Sequence, residues 1–303
     1  MQEEKSNSLD LRHELEVAMR RDNTSLRDMA RQLGLSASIL AGWMNGKGSD
    51  ECDALVRAWL GERRVASARP APEPFIETPS ASRFCSVFAY AQAFGRMSVV
   101  CGGPGLGKTR SIRHYRELYP DVWVATCSPM VSGLVPALEE IAEACGITNA
   151  GGGARQIARS IARKVEVAPR GLLILDEAQH LTIGAVEAVR AIHDETQLGV
   201  AFVGNEAVVR FGGKAQHAHF AQISSRLGMR VFVSKPTLGD VGAVASHFGV
   251  TDKPALELLG RLSGQPGALR SVAEVIKLAK RASDGPVTAD HVWDAIEHLG
   301  GEA

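Results

Sequence analysis

Lys108 and Thr109 close the run Gly102-Gly103-Pro104-Gly105-Leu106-Gly107-Lys108-Thr109, which fits the pattern G-x-x-x-x-G-K-[ST] at every fixed position. A loop of this kind has the parts needed to hold a nucleoside triphosphate. Its glycines let backbone N–H groups curl around phosphates, and the start of a following helix adds partial positive charge. Lys108 can reach the outer phosphates, and the Thr109 hydroxyl can ligate Mg2+. Arg110 completes the candidate nucleotide-binding set. The flanks suit the motif: Met97-Ser-Val-Val-Cys101 reads as a buried strand and Arg110 to Leu118 as a helix.

A second group of reactive side chains follows the apolar run Leu172-Leu-Ile-Leu, which ends in Asp176-Glu177. Two carboxylates at the end of a strand reach the carboxyl edge of a sheet, beside a phosphate loop. Asp176 is then placed to help hold Mg2+ and to contact the nucleotide, and Glu177 to polarise an attacking water. Phosphoryl transfer asks chiefly for such positioning and charge stabilisation. Asp176-Glu-Ala-Gln179-His180 superficially matches the helicase box Asp-Glu-Ala-His, but Gln179 interrupts it. The tail beyond is also too short and too helical for a second ATPase-like lobe. His217-Ala-His219 has no Cys or carboxylate companions at ligand spacing and reads as a polar loop.

These groups need a sheet to position them. Val122-Trp-Val-Ala-Thr-Cys127, Gly171 to Leu175, Gly199 to Val203 and Arg230 to Ser234 are short branched or aromatic runs bounded by turn residues. With Met97–Cys101 they make five strands alternating with helical patterns, the sign of an α/β fold with a parallel sheet. A chain of 303 residues suits two or three domains. Val65-Ala-Ser-Ala-Arg-Pro-Ala-Pro-Glu-Pro74 reads as a linker. The expected division is a helical domain over 1–64, a linker over 65–80, an ATPase core over 81–235 and a helical lid over 236–303. Thr251 to Gly260, Ala268 to Ala282 and Thr288 to Leu299 fit three lid helices.

Lysine plus arginine (34) balance aspartate plus glutamate (34), so any nucleic-acid surface must come from local clustering. Five scattered cysteines without C-x-x-C spacing suit reduced thiols. With no signal-like or membrane-spanning run, a soluble cytoplasmic protein without membrane contact is expected.

Two segments could meet DNA. Leu26 to Leu33, the turn at Gly34 and Ser36 to Met44 form a candidate helix-turn-helix, similar to the repressor-like family over residues 8 to 60. That resemblance puts Ala37, Ser36, Ser38, Ile39 and Ala41 at a major-groove surface, with Arg27, Arg31 and Lys47 near phosphates. The small and apolar recognition positions argue against strong base readout, and a protein-docking helical bundle is the alternative. In Ala154 to Val167, Arg155, Arg159 and Arg163 recur every four residues, opposite Ile157, Ile161 and Val165. This basic ridge could track phosphates without reading sequence, or simply be a solvated face.

Taken together, the phosphate loop (Walker A) and the strand-end carboxylates (Walker B) resemble the AAA+ ATPases over roughly residues 80 to 300. The resemblance implies an AAA+ P-loop core with a five-stranded parallel sheet and a helical lid. It implies further site residues: Asn205 as the polar sensor that orients the lytic water, Arg226 as an arginine finger acting on a neighbouring subunit, and Arg270 as the lid sensor. Arg210 and Arg230 are substitutes for the finger. The order of helix-turn-helix, proline-rich linker, single AAA+ module and short lid is similar to the phage Mu B type of transposition ATPase. That type implies an ATP- and Mg2+-dependent, largely sequence-nonspecific ATPase that forms rings or helical filaments on double-stranded DNA and recruits a transposase. A nucleotide-switched transcription regulator and a replicative helicase loader are the alternatives.

Overall fold

Short runs of branched and aromatic residues fold into one parallel sheet, and the phosphate loop emerges from its interior. In the computed structural model, residues 2–21, 24–47, 50–67, 73–148, 151–168, 170–208 and 227–300 are described. They divide into two compact units, Met1–Pro74 and Phe75–Ala303.

The first unit is all helical: α1 (Gln2–Arg21), α2 (Leu26–Gln32), α3 (Ala37–Met44) and α4 (Asp50–Ser67). Ser25 and Ser36 cap α2 and α3 by accepting from the backbone N–H groups of Asp28 and Ile39. Gly34 makes the corner between them at φ 68°, the left-handed region where glycine meets no Cβ penalty. Leu15, Met29, Leu40, Trp43 and Val56 form its core. The Trp43 indole N–H donates to Asp53 at 2.6 Å, and the Arg12 guanidinium lies 5.4 Å from the Trp43 ring centroid. The expected linker over 65–80 is interrupted at both ends, since α4 runs to Ser67 and the next helix starts at Pro79; residues 68–72 lie outside the described residues.

The second unit begins with α5 (Pro79–Phe94), capped by Thr78, and continues β1 (Met97–Gly102), α6 (Lys108–Leu118), β2 (Val122–Thr126), α7 (Leu134–Ala144), α8 (Ala154–Glu166), β3 (Leu172–Asp176), α9 (Ile183–Thr196), β4 (Gly199–Gly204) and β5 (Leu227–Val233). All pairings are parallel, and the order is β2-β3-β4-β1-β5. Strands β1, β3 and β4 are buried along their whole length, as expected of a sheet covered on both faces. α7, α8 and α9 pack one face around Leu138, Ile141, Ile157, Ile161, Val186 and Phe202. α5 and α6 pack the other around Phe84, Phe88, Ile112, Tyr115 and Val203. Each fully buried side chain of this size contributes about 1.5–3 kcal/mol.

The lid holds α10 (Leu238–His247), α11 (Lys253–Ser263), α12 (Leu269–Ala282) and α13 (Ala289–His298), four helices where the sequence reading expects three. Gly239 and Gly242 hide α10, because each glycine weakens a helix of only ten residues by about 1 kcal/mol relative to alanine. A capping box at its start and the burial of Val241, Val244 and Ala245 offset that weakness. Asp240, fully buried, completes that box and also ties the lid to the core. It accepts from Ser80 N–H at 2.7 Å, Ser80 hydroxyl at 2.8 Å, and both donors of Thr237. The segment entering α5 reaches both parts: Phe75 stacks on His114 of α6 at 3.9 Å, and Ile76 packs against the lid core.

Candidate functional site

Sheet register brings the phosphate loop and the carboxylates together. Leu175 of β3 is level with Phe202 of β4, and Val203 of β4 with Val100 of β1, so Asp176 emerges where β1 turns into the loop. Within the loop, Gly105 (φ 77°) and Gly107 (φ 85°) take left-handed backbone that side chains rarely adopt. Gly107 caps α6, which starts at Lys108 rather than Arg110, so the helix N-terminus lies in the loop itself. Leu106 turns its side chain into the core at 1 % exposure, leaving only its backbone for a phosphate. Pro104 and Arg110 are exposed.

Lys108 is buried at 8 % exposure, and its Nζ donates to the carbonyls of Gly102 and Gly103, each at 2.8 Å. Burial lowers its pKa, against the raising influence of Glu177 and Asp176; Arg270 adds a smaller lowering push. The Thr109 hydroxyl donates to Asp176 Oδ2 at 2.9 Å, and Asp176 Oδ1 accepts from Glu177 N–H at 3.0 Å. Two oxygen ligands of the hard type that Mg2+ takes are thus side by side, and the donor set fits that ion. Desolvation raises the Asp176 pKa, and the two hydrogen bonds oppose it. Cys127, also at this edge, is pushed up to about 12 by burial and then by Asp176, so it stays a neutral thiol.

Glu177 takes a left-handed conformation, φ 54°, as the strand breaks into a short 3-10 turn over Ala178–His180. Its carboxylate accepts from the Gln179 amide, and Gln179 Oε1 accepts in turn from Asn205 N–H at 3.4 Å. Asn205 follows β4, on the same edge, but its Oδ1 accepts from Ala207 N–H at 2.9 Å and so closes its own turn. The linear pattern does not pick out Gln179, because its bond to Asn205 depends on β3 and β4 being neighbours. Arg270, exposed in the first turn of α12, stands close enough to influence Lys108 electrostatically. The lid turn before it presses on the loop: a Cβ on Gly105 would lie 1.9 Å from Gly267 O, and Ala268 holds a left-handed φ of 50°. The site therefore gathers Lys108, Thr109, Asp176, Glu177 and Asn205 on one edge, with Arg270 beside it. Arg226, Arg210 and the His217/His219 pair lie outside the described residues. Among the described residues no group of three or more His, Cys, Asp or Glu could hold a metal alone.

The candidate DNA residues occupy separate surfaces. Arg155, Arg159 and Arg163 are exposed along α8, while Ile157, Ile161 and Val165 anchor its other face in the core. In the N-terminal unit, Arg27, Lys47, Ser36 and Ser38 are exposed, and Ile39 is 52 % exposed on α3. Arg31 pairs with Asp28 at 3.4 Å, and the Ser36 and Ser38 hydroxyls share a hydrogen bond at 3.0 Å. Among the described residues no helix is long and apolar enough to cross a membrane.

Two family models match within the second unit. A family model described as an AAA domain matches residues 95–210, and one for the C-terminal part of the Mu B transposition protein matches residues 225–299. ATP-dependent target DNA activator B of Escherichia phage Mu is 28 % identical over 300 residues, 97 % of this chain and 96 % of that protein. The Mu-like prophage FluMu DNA transposition protein B of Haemophilus influenzae is 32 % identical over 253 residues, 81 % of this chain and 88 % of the relative. Among solved structures, the ADP form of the Aeropyrum pernix ORC2 protein matches in fold. Its TM-score is 0.56 at 17 % identity, covering 78 % of this chain and 72 % of that one.

Proposed function

Since this chain belongs to the Mu B transposition protein family of AAA+ ATPases, we propose that it hydrolyses ATP to govern its own assembly on double-stranded DNA, where it recruits and activates a transposase. The observation that carries this reading is the 2.9 Å contact between Thr109 of the phosphate loop and Asp176 of β3, with Glu177 next in the chain. It joins the binding half and the hydrolytic half of the site.

Lys108 passes its donors from the loop carbonyls to phosphate oxygens, which its partial desolvation makes favourable. Thr109 and Asp176 would hold Mg2+, which would supply charge neutralisation at the phosphates. Glu177 accepts a proton from, or orients, the attacking water, and Asn205 helps to place it. Arg270 answers to the nucleotide from the lid. Arg226 completes the site of a neighbouring subunit, which makes hydrolysis depend on assembly into a ring or filament.

On DNA, the α8 ridge supplies phosphate contacts without base readout. The helix-turn-helix at α2–α3 adds Arg27, Arg31 and Lys47 near phosphates, and Ser36, Ser38 and the apolar Ile39 toward the groove, where Ile39 suits a thymine methyl more than a polar base edge. Such a surface favours broad binding over operator recognition. The cytoplasm of a bacterial host is the setting this activity requires.

The test is Lys108→Ala in the full chain. Nucleotide binding and ATP-dependent DNA binding should be lost together, measured by labelled-nucleotide titration and by electron microscopy with and without ATP and DNA. Undiminished DNA affinity and assembly in that variant would sink the coupling. A sharp preference for one enriched sequence over random DNA at fixed salt would replace this reading with a transcription regulator.

A further inference from the structure

Gln179, the residue that interrupts the helicase-like box, has no part in the proposed hydrolysis so far, yet both ends of its amide are engaged at the reacting edge. Nε2 donates to Glu177 Oε2, and Oε1 accepts from Asn205 N–H. The fit is built from two elements. Gly204, the last residue of β4, leaves the room: a Cβ there would meet Gln179 Oε1 at 2.2 Å. On the other side, the left-handed backbone of Glu177 and the 3-10 turn that follows it accompany the return of the Gln179 side chain toward the carboxylate two residues before it.

We infer that Gln179 is a positioning residue for hydrolysis, which sets the plane of the Glu177 carboxylate against the Asn205 end of β4. The inference rests on the ATPase reading. A glutamate at a strand end has several rotatable bonds, and only some of its orientations direct a lone pair at a water. One carboxylate oxygen bound to Gln179 removes most of that freedom and leaves the second oxygen to act. Because the same amide is also bonded to the β4 end, Glu177 and Asn205 share one reference point. A shift of either is felt by the other. Misplacing a reacting group by about 1 Å costs on the order of 10²-fold in rate.

The experiment is steady-state ATP hydrolysis by the full chain, with nucleotide affinity measured separately by equilibrium titration. Gln179→Met removes both hydrogen bonds at similar volume. Gln179→Glu keeps an acceptor for Asn205 N–H but sets a like charge beside Glu177. The expected result is a fall in kcat of about 10- to 100-fold for Met and a larger fall for Glu, with KM and nucleotide affinity within about twofold of the parent. Gln179→Met added to Glu177→Gln should cost nothing more than Glu177→Gln alone, because residues acting as a unit are not additive. A kcat within about twofold of the parent in Gln179→Met, beside a dead Glu177→Gln, overturns the positioning role and leaves the ATPase reading intact. Affinity and kcat falling together in Gln179→Met mean a structural role and also overturn it. No turnover by the parent chain, or full turnover by Glu177→Gln, overturns the ATPase reading and this inference with it.

Discussion

Asp176, only 3 % exposed, has its pKa raised by desolvation, against the lowering pull of the Thr109 hydroxyl and the Glu177 N–H. A raised folded-state pKa means that the fold prefers the protonated form. The stabilising contribution is complete below the unfolded pKa and is lost as pH rises through the folded one. Ionised Asp176 is therefore a cost to the resting fold near neutrality. Asp176→Asn should remove that cost, since an amide can still accept from Glu177 N–H and donate to the Thr109 hydroxyl. We expect a higher melting temperature, whose excess over the parent shrinks as pH is lowered, together with at least a 10²-fold loss of hydrolysis. Calorimetry across pH and an ATPase assay check the two halves; an unchanged or lower melting temperature at neutral pH would refute the first.

Two helix N-termini, those of α5 and α10, converge on the single carboxylate of Asp240, through the N–H groups of Ser80 and Thr237, and each dipole end favours the charge. Burial works to raise its pKa, but hydrogen bonds from Thr237 and Ser80 outweigh it and the net direction is down. The stability this gives is present above the ordinary carboxylate pKa and is lost as pH falls through the depressed folded value. Asp240→Asn should cost about 2–4 kcal/mol, as expected for a buried charge-assisted network left partly unmatched, and should flatten the acid limb of the stability curve. Urea unfolding at pH 7 measures the first, and a series continued below about pH 4, where the depressed folded value lies, measures the second. On α8, Arg155, Arg159 and Arg163 replaced by glutamine should weaken DNA binding across all sequences. The salt dependence should shallow by about 0.9 in log–log slope for each phosphate that is no longer neutralised; an unchanged slope would make the ridge a plain solvated face. The elements themselves were legible to different degrees. β1, β3 and β4 could be read because fully buried strands are continuous apolar runs, and the phosphate loop because its glycines and lysine are local in sequence. α10 escaped because Gly239 and Gly242 thin its helical signal, while the partner that completes its cap, Ser80, lies far away in the chain. The bond from Asn205 to Gln179 escaped because strand adjacency is a property of topology, which a linear pattern does not carry.

At the scale of the whole molecule, the proposed mechanism requires the assembled particle, rather than the single chain, as the hydrolytic unit. Arg226→Ala should then lower the rate by about 10³- to 10⁵-fold, as loss of a finger does. A mixture of Arg226→Ala and Glu177→Gln chains should recover activity that neither variant has alone, because one supplies the finger and the other the intact base. Failure of every mixing ratio to recover activity would place the finger elsewhere, with Arg230 or Arg210 as candidates. In the same chain, the lid turn at Gly267 sits directly against the phosphate loop at Gly105. The pattern G-x-x-x-x-G-K-[ST] leaves the position of Gly105 open to any residue, but Gly267 across the lid turn does not. A methyl group there would satisfy the motif and still force loop and lid apart. Drift at Gly105 is thus permitted only if the lid turn changes with it, and two distant stretches of sequence are bound to vary as one.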